Sequence, residues 1–102
     1  MKVSREDWER VIEKACDIAN GPDDDPMYDA HLESMMRLLD ELENRYGAQS
    51  RILATRADYS QSASDRRALY EQALVLARQA NDVDEIEEIM DSINRLGNDE
   101  HA

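Results

Sequence analysis

The sequence has no phenylalanine and, among its 102 residues, only three glycines, two prolines and one cysteine. Strand-and-turn architectures need turn residues at short intervals, so this scarcity of Gly and Pro argues against a sheet protein. A lone cysteine, Cys16, rules out an intrachain disulfide. Basic residues are also few: 12 Lys and Arg stand against 24 Asp and Glu, a formal charge of −12. Nucleic-acid binding draws on Lys and Arg to neutralise phosphates, so DNA, RNA and anionic lipid are poor partners for this chain. A cationic protein is the partner its field would attract. No apolar run approaches transmembrane length, and Met1 to Glu6 lacks the apolar stretch of a signal peptide. The expected location is the cytoplasm.

What is present is helical periodicity. The spacing predicts a first helix from about Arg5 to Ala19, capped by Ser4, with Asp7 placed to complete a capping box. Trp8, Val11, Ile12, Ala15, Ile18 and Ala19 form its apolar face, with Cys16 on the edge as a core filler. Gly21 and Pro22 stop it, and Asp25 and Pro26 cap and open the second helix. That helix runs to about Arg45 on Tyr28, Leu32, Met35, Leu39, Leu42 and Tyr46, and Gly47 ends it. A third helix spans about Ala48 to Tyr59. A fourth runs from Asp65 to Ala80 under a Ser64 cap and is broken by Asn81 and Asp82. A fifth covers about Asp84 to Leu96 and stops at Gly97. The expected fold is all-α, five antiparallel helices in one domain over residues 1–97, with a frayed tail over 98–102.

The second helix repeats in the fourth at a shift of 34 residues. Met35 falls on Leu69, Met36 on Tyr70, Leu39 on Ala73 and Leu42 on Leu76. The run Leu69-Tyr70-Glu71-Gln72-Ala73-Leu74-Val75-Leu76-Ala77 resembles the second helix of a tetratricopeptide repeat, a 34-residue helix–turn–helix unit. Asn81 to Ile86 resembles the turn into a further repeat, and Leu53-Ala54 the Leu-Gly pair of the preceding helix. The pattern departs from the family where Ala57 replaces an aromatic, Arg66 an Ala and Arg78 a Pro. The resemblance implies stacked hairpins closed by a terminal capping helix, with a groove for a protein partner. A plain helical bundle shares the coarse pattern.

Reactive constellations are sparse. Cys16 has no histidine near it in sequence, and the two histidines, His31 and His101, stand apart. No Glu-x-x-His or His-x₃-His pair signals a metal, and Asp23-Asp24-Asp25 lacks the length, glycine and distal glutamate of a calcium loop. No cofactor, metal or catalytic residue is expected, and the chain reads as a non-enzyme.

Charge is distributed unevenly. Residues 48–81 carry five basic and three acidic groups, a net +2, leaving −14 for the remainder. In the fifth helix Asp84, Glu87, Glu88 and Asp91 form an acidic stripe opposite Ile86, Ile89, Met90 and Ile93. Like charges at these spacings repel by a few tenths of a kcal/mol per pair. A solvated, solubilising face explains such a stripe. So does a partner surface whose cations relieve the repulsion. Asp84, Glu87, Glu88 and Asp91, with Asp23 and Asp24, are the candidate partner-binding residues. In size, acidity and lack of catalytic groups the chain resembles a bacterial immunity protein. That resemblance implies a nuclease-type toxin domain, cationic because it grips phosphate, as partner. The alternative is a tetratricopeptide-like secretion chaperone or assembly adaptor, whose client would lie on the inner helices, around Arg56 and Tyr59 or the first hairpin. The oligomeric state is not legible.

Overall fold

Helix-forming runs, interrupted where the turn residues stand, become five α-helices among the described residues: α1 (Arg5–Asn20), α2 (Met27–Tyr46), α3 (Ser50–Tyr59), α4 (Ala63–Gln79) and α5 (Val83–His101). The computed structural model describes residues 2–20, 27–60 and 62–101, with side chains through Gly97. The stop at Gly21 and Pro22, the cap at Asp25 and Pro26, and the candidates Asp23 and Asp24 lie outside the described residues. No strand occurs among the described residues. The chain is all-α: α1 packs on α2, and α3, α4 and α5 pack on one another. It forms two compact units, Met1–Gly47 and Ala48–Ala102.

The first unit is the α1–α2 hairpin. The Ser4 hydroxyl accepts the Asp7 amide at 3.1 Å, so Ser4 caps α1 as its position implies. The Asp7 side chain does not turn back to complete a capping box. It accepts hydrogen bonds from Tyr46 and from Arg45, the latter at 3.0 Å, both at the far end of α2. Arg10 reaches Glu41 at 2.6 Å. Pairing the start of α1 with the end of α2 sets the hairpin antiparallel. In this unit Val11, Ile18, Met35, Leu39 and Leu42 are buried. Gly47, at φ +84°, ends α2 in the left-handed region, and its amide donates to the Glu43 carbonyl at 2.8 Å.

The second unit is α3, α4 and α5. Leu53, Ala57, Tyr70, Ala73, Ala77, Ile89 and Leu96 form its core. The fourth helix starts earlier than expected: Ser62, not Ser64, is the cap, its hydroxyl accepting the Asp65 amide at 3.4 Å. Ser62 has the extended backbone a cap needs, whereas Ser64 already lies within the helix. At the other end, Asn81 takes φ +55°, its amide donates to Arg78 and that of Asp82 donates to Ala77. These two bonds make a Schellman closure, with asparagine supplying the left-handed residue.

The fifth helix continues through Gly97 to His101 rather than stopping there. Glycine permits a left-handed stop but does not impose one, and only Gly47 among the described glycines has positive φ. The 34-residue register also shifts in three dimensions. The buried set Met35, Leu39 and Leu42 of α2 matches Tyr70, Ala73 and Ala77 of α4, with only Leu39 and Ala73 keeping the sequence alignment. Leu69 and Leu76, expected as core, are half-buried because the α4 stripe turns toward its small residues, where α3 and α5 approach closely.

Candidate functional site

The acidic stripe is built from the start of α5. Asp82 Oδ1 accepts the Glu85 amide at 3.2 Å, which caps the helix, and Asp84 and Glu85 place negative charge at the positive end of its dipole. Ile89 and Leu96 then fix the rotation of α5, because both are buried against Leu53, Ala57, Tyr70, Ala73 and Ala77. With that line inward, Asp84, Glu87, Glu88 and Asp91 all point to solvent. The structure thus brings these four together on one outer face. Arg95 pairs with Asp91 one turn away. Asp84, Glu87 and Glu88 make no ion pair among the described residues.

Reading the sequence missed Glu85 as a member of this region. It stands one turn before Ile89 on the line Glu85–Ile89–Leu96, so the first inward position of α5 is a glutamate. It is half-buried, and burial pushes its carboxyl above the ordinary range, with Glu88 and Asp82 adding repulsion and Arg51 opposing them. The sequence signal was available: a carboxylate four residues before Ile89, on the same stripe as Leu96. In the core of the same unit the buried Tyr70 donates its hydroxyl to Asp58, and its own ionisation is pushed up first by burial and then by Asp58.

A second charged region lies within the α1–α2 hairpin. A shallow cleft of about 380 Å³ is lined by Arg10, Glu13, Lys14, Asp17, Ser34, Arg37, Leu38 and Glu41. Its charges are largely spent on one another. Arg10 pairs with Glu41 at 2.6 Å and Asp7 at 3.4 Å, Lys14 with Asp17 at 4.0 Å, and Arg37 with Glu33 at 3.9 Å. The Tyr46 hydroxyl, followed by Arg45 and Arg10, holds Asp7 below the usual carboxylate range, and Arg10 does the same for Glu41. The cleft presents mixed, compensated charge, unlike the single-sign face of α5.

Cys16 is exposed, not the core filler its neighbours suggested. Val11 and Ile18, two turns apart, mark the buried line of α1; Ile12 and Ala19 lie about a quarter-turn away from it and Cys16 further round, toward the opposite face. Ile12 is accordingly 52% exposed. Among the described residues no three His, Cys, Asp or Glu side chains are grouped to hold a metal ion, and no helix is long and apolar enough to cross a membrane. No protein-family model, curated protein or solved structure matches the chain.

Proposed function

We propose that this chain is a non-enzymatic, cytoplasmic protein-binding module that captures a cationic partner on the outer face of α5. Its mode is that of an immunity protein covering the basic cleft of a nuclease-type toxin domain. The observation that carries the reading is the outward clustering of Asp84, Glu87, Glu88 and Asp91 with a single ion pair, to Arg95, among the described residues. A basic surface laid on these groups replaces their mutual repulsion with attraction and steers encounter from a distance. The α3–α4 hairpin serves as the support for α5, and the 34-residue repeat of the sequence supports a tetratricopeptide-like origin.

The test is affinity capture of the partner on wild type and on the E87K/E88K variant, followed by measured affinity at two salt concentrations. The charge reading expects capture of a basic protein, weaker binding as salt rises, and strong loss in the reversed variant. Salt-independent binding that survives the reversal sinks it. Sensitivity at Arg56 and Tyr59 instead of α5 moves the assignment to the groove-binding chaperone.

A further inference from the structure

The outer face of α5 is more than a row of carboxylates. Val83 is 63% exposed and Met90 45% exposed, and they stand two helical turns apart on the same edge. Ile86 and Ile93, also two turns apart and only partly buried, lie between this edge and the core. Together Val83, Ile86, Met90 and Ile93 follow alternating steps of three and four, the spacing of an a/d seam. Such a seam accepts another helix, because knobs repeating every three and four residues interlock with the same period and not with a strand. One side of the seam is the core line of Ile89 and Leu96. The other is bordered by Glu87, and beyond it by Asp91 and Asp84, all exposed. A helix seated there meets apolar side chains along its middle and carboxylates along one flank only.

We infer that the element α5 receives is an amphipathic basic helix of the partner. Its apolar residues rest on Val83, Ile86, Met90 and Ile93, and its Lys or Arg residues face Glu87, Asp91 and Asp84. This inference rests on the acidic-face reading above and adds the shape of the ligand to its charge. Charge complementarity selects this occupant. A second copy of α5 would bring its own carboxylates against these, and an acidic amphipathic helix would do the same.

The test titrates the full chain with three synthetic helical peptides of equal length. One has a leucine stripe flanked by lysines, one replaces the leucines by serines, and one replaces the lysines by glutamates. The Leu/Lys peptide is expected to bind at least about tenfold tighter than either of the others, a factor in keeping with burial of a few partly exposed apolar side chains. The variant V83Q/M90Q, checked for unchanged helicity by circular dichroism, is expected to erase the advantage over the Ser/Lys peptide. E87K/D91K should weaken both lysine peptides. Equal binding of Leu/Lys and Ser/Lys, unaltered by V83Q/M90Q, overturns the amphipathic helix while the cationic partner stands. Equal binding of Leu/Lys and Leu/Glu overturns the charge selection. Failure of both lysine peptides to bind removes the acidic-face reading itself, and the seam with it.

Discussion

Asp82 Oδ1 accepts the backbone amide of Glu85 at 3.2 Å, while the Asp82 amide itself donates to the Ala77 carbonyl at 3.0 Å. One residue therefore finishes the closure of α4 and begins α5, and only Ala80 and Asn81 stand between it and the end of α4 at Gln79. The direction in which α5 leaves the turn, and so the solvent-facing position of Glu87 and Glu88, depends on this joint. Replacing Asp82 by Ala is expected to cost about 1 kcal/mol by leaving the Glu85 amide without its cap. Asn should recover most of that, since its side-chain oxygen accepts the same bond. Urea denaturation of the three proteins measures it, and equal midpoints for Ala and Asp would show that the cap contributes nothing.

Leu39 of α2 and Leu76 of α4, both on the apolar stripes of their helices, are not equivalent in the fold. Leu39 is fully buried, whereas Leu76 is half-buried at the margin of the α3–α4–α5 core. Leu39→Ala is expected to destabilise by about 2–5 kcal/mol through lost burial and an unfilled cavity. Leu76→Ala should cost distinctly less, because solvent and flexible neighbours fill the space it leaves. Thermal or urea unfolding of both variants separates them, and a reversed order would mean that the α4 stripe faces the other way.

Helix number and type were legible because apolar spacing of three and four residues is a strong signal over segments this long. Positions within each helix were less so. Ser62 and Ser64 both look like caps, and only backbone conformation distinguishes them. Gly97 carries a stop signal that the chain does not use. The acidic residues of α5 lie exposed on its outer face because Ile89 and Leu96 leave little choice of rotation. Glu85 was missed for the opposite reason: a carboxylate at an inward position looks like one more member of an acidic helix until its neighbours are known. The burial of α1 was overstated because its apolar stripe is wider than the surface that covers it.

Cys16 follows from that last point. Its exposed position on α1, beside exposed Ile12 and Ala19, leaves the thiol open to reagents without unfolding. A thiol-specific disulfide reagent is expected to modify one group per chain under native conditions, at a rate close to that of the urea-unfolded chain. A native rate lower by orders of magnitude would restore the buried assignment. Cys16→Ser should leave stability within about 0.5 kcal/mol, as for other exposed substitutions.

The pH dependence of stability divides between the two units because their carboxylates shift in opposite directions. In the first, Asp7 and Glu41 are held below their ordinary values by Tyr46, Arg45 and Arg10. Each then binds its proton less readily when folded, so its contribution is present above the unfolded value and is lost as pH falls through the folded one. In the second unit Glu85 is raised, chiefly by burial and then by Glu88 and Asp82. Folded Glu85 binds its proton more readily than the unfolded chain does. Stability at this site is greatest below its ordinary value near 4.5 and declines as pH rises through the elevated one. Glu85→Gln removes that decline, because the amide carries no charge to desolvate. The variant is expected to melt above wild type at pH 7 and to lose that advantage as pH falls below the ordinary glutamate value, where wild-type Glu85 binds its proton. Asp7→Asn should behave in the reverse sense, losing stability at pH 7 and converging with wild type in acid. Melting curves of the three proteins from pH 3 to pH 8 decide the matter. A Glu85→Gln variant less stable than wild type at neutral pH would mean that the ionised carboxylate is held by Arg51 more strongly than burial and its acidic neighbours oppose it.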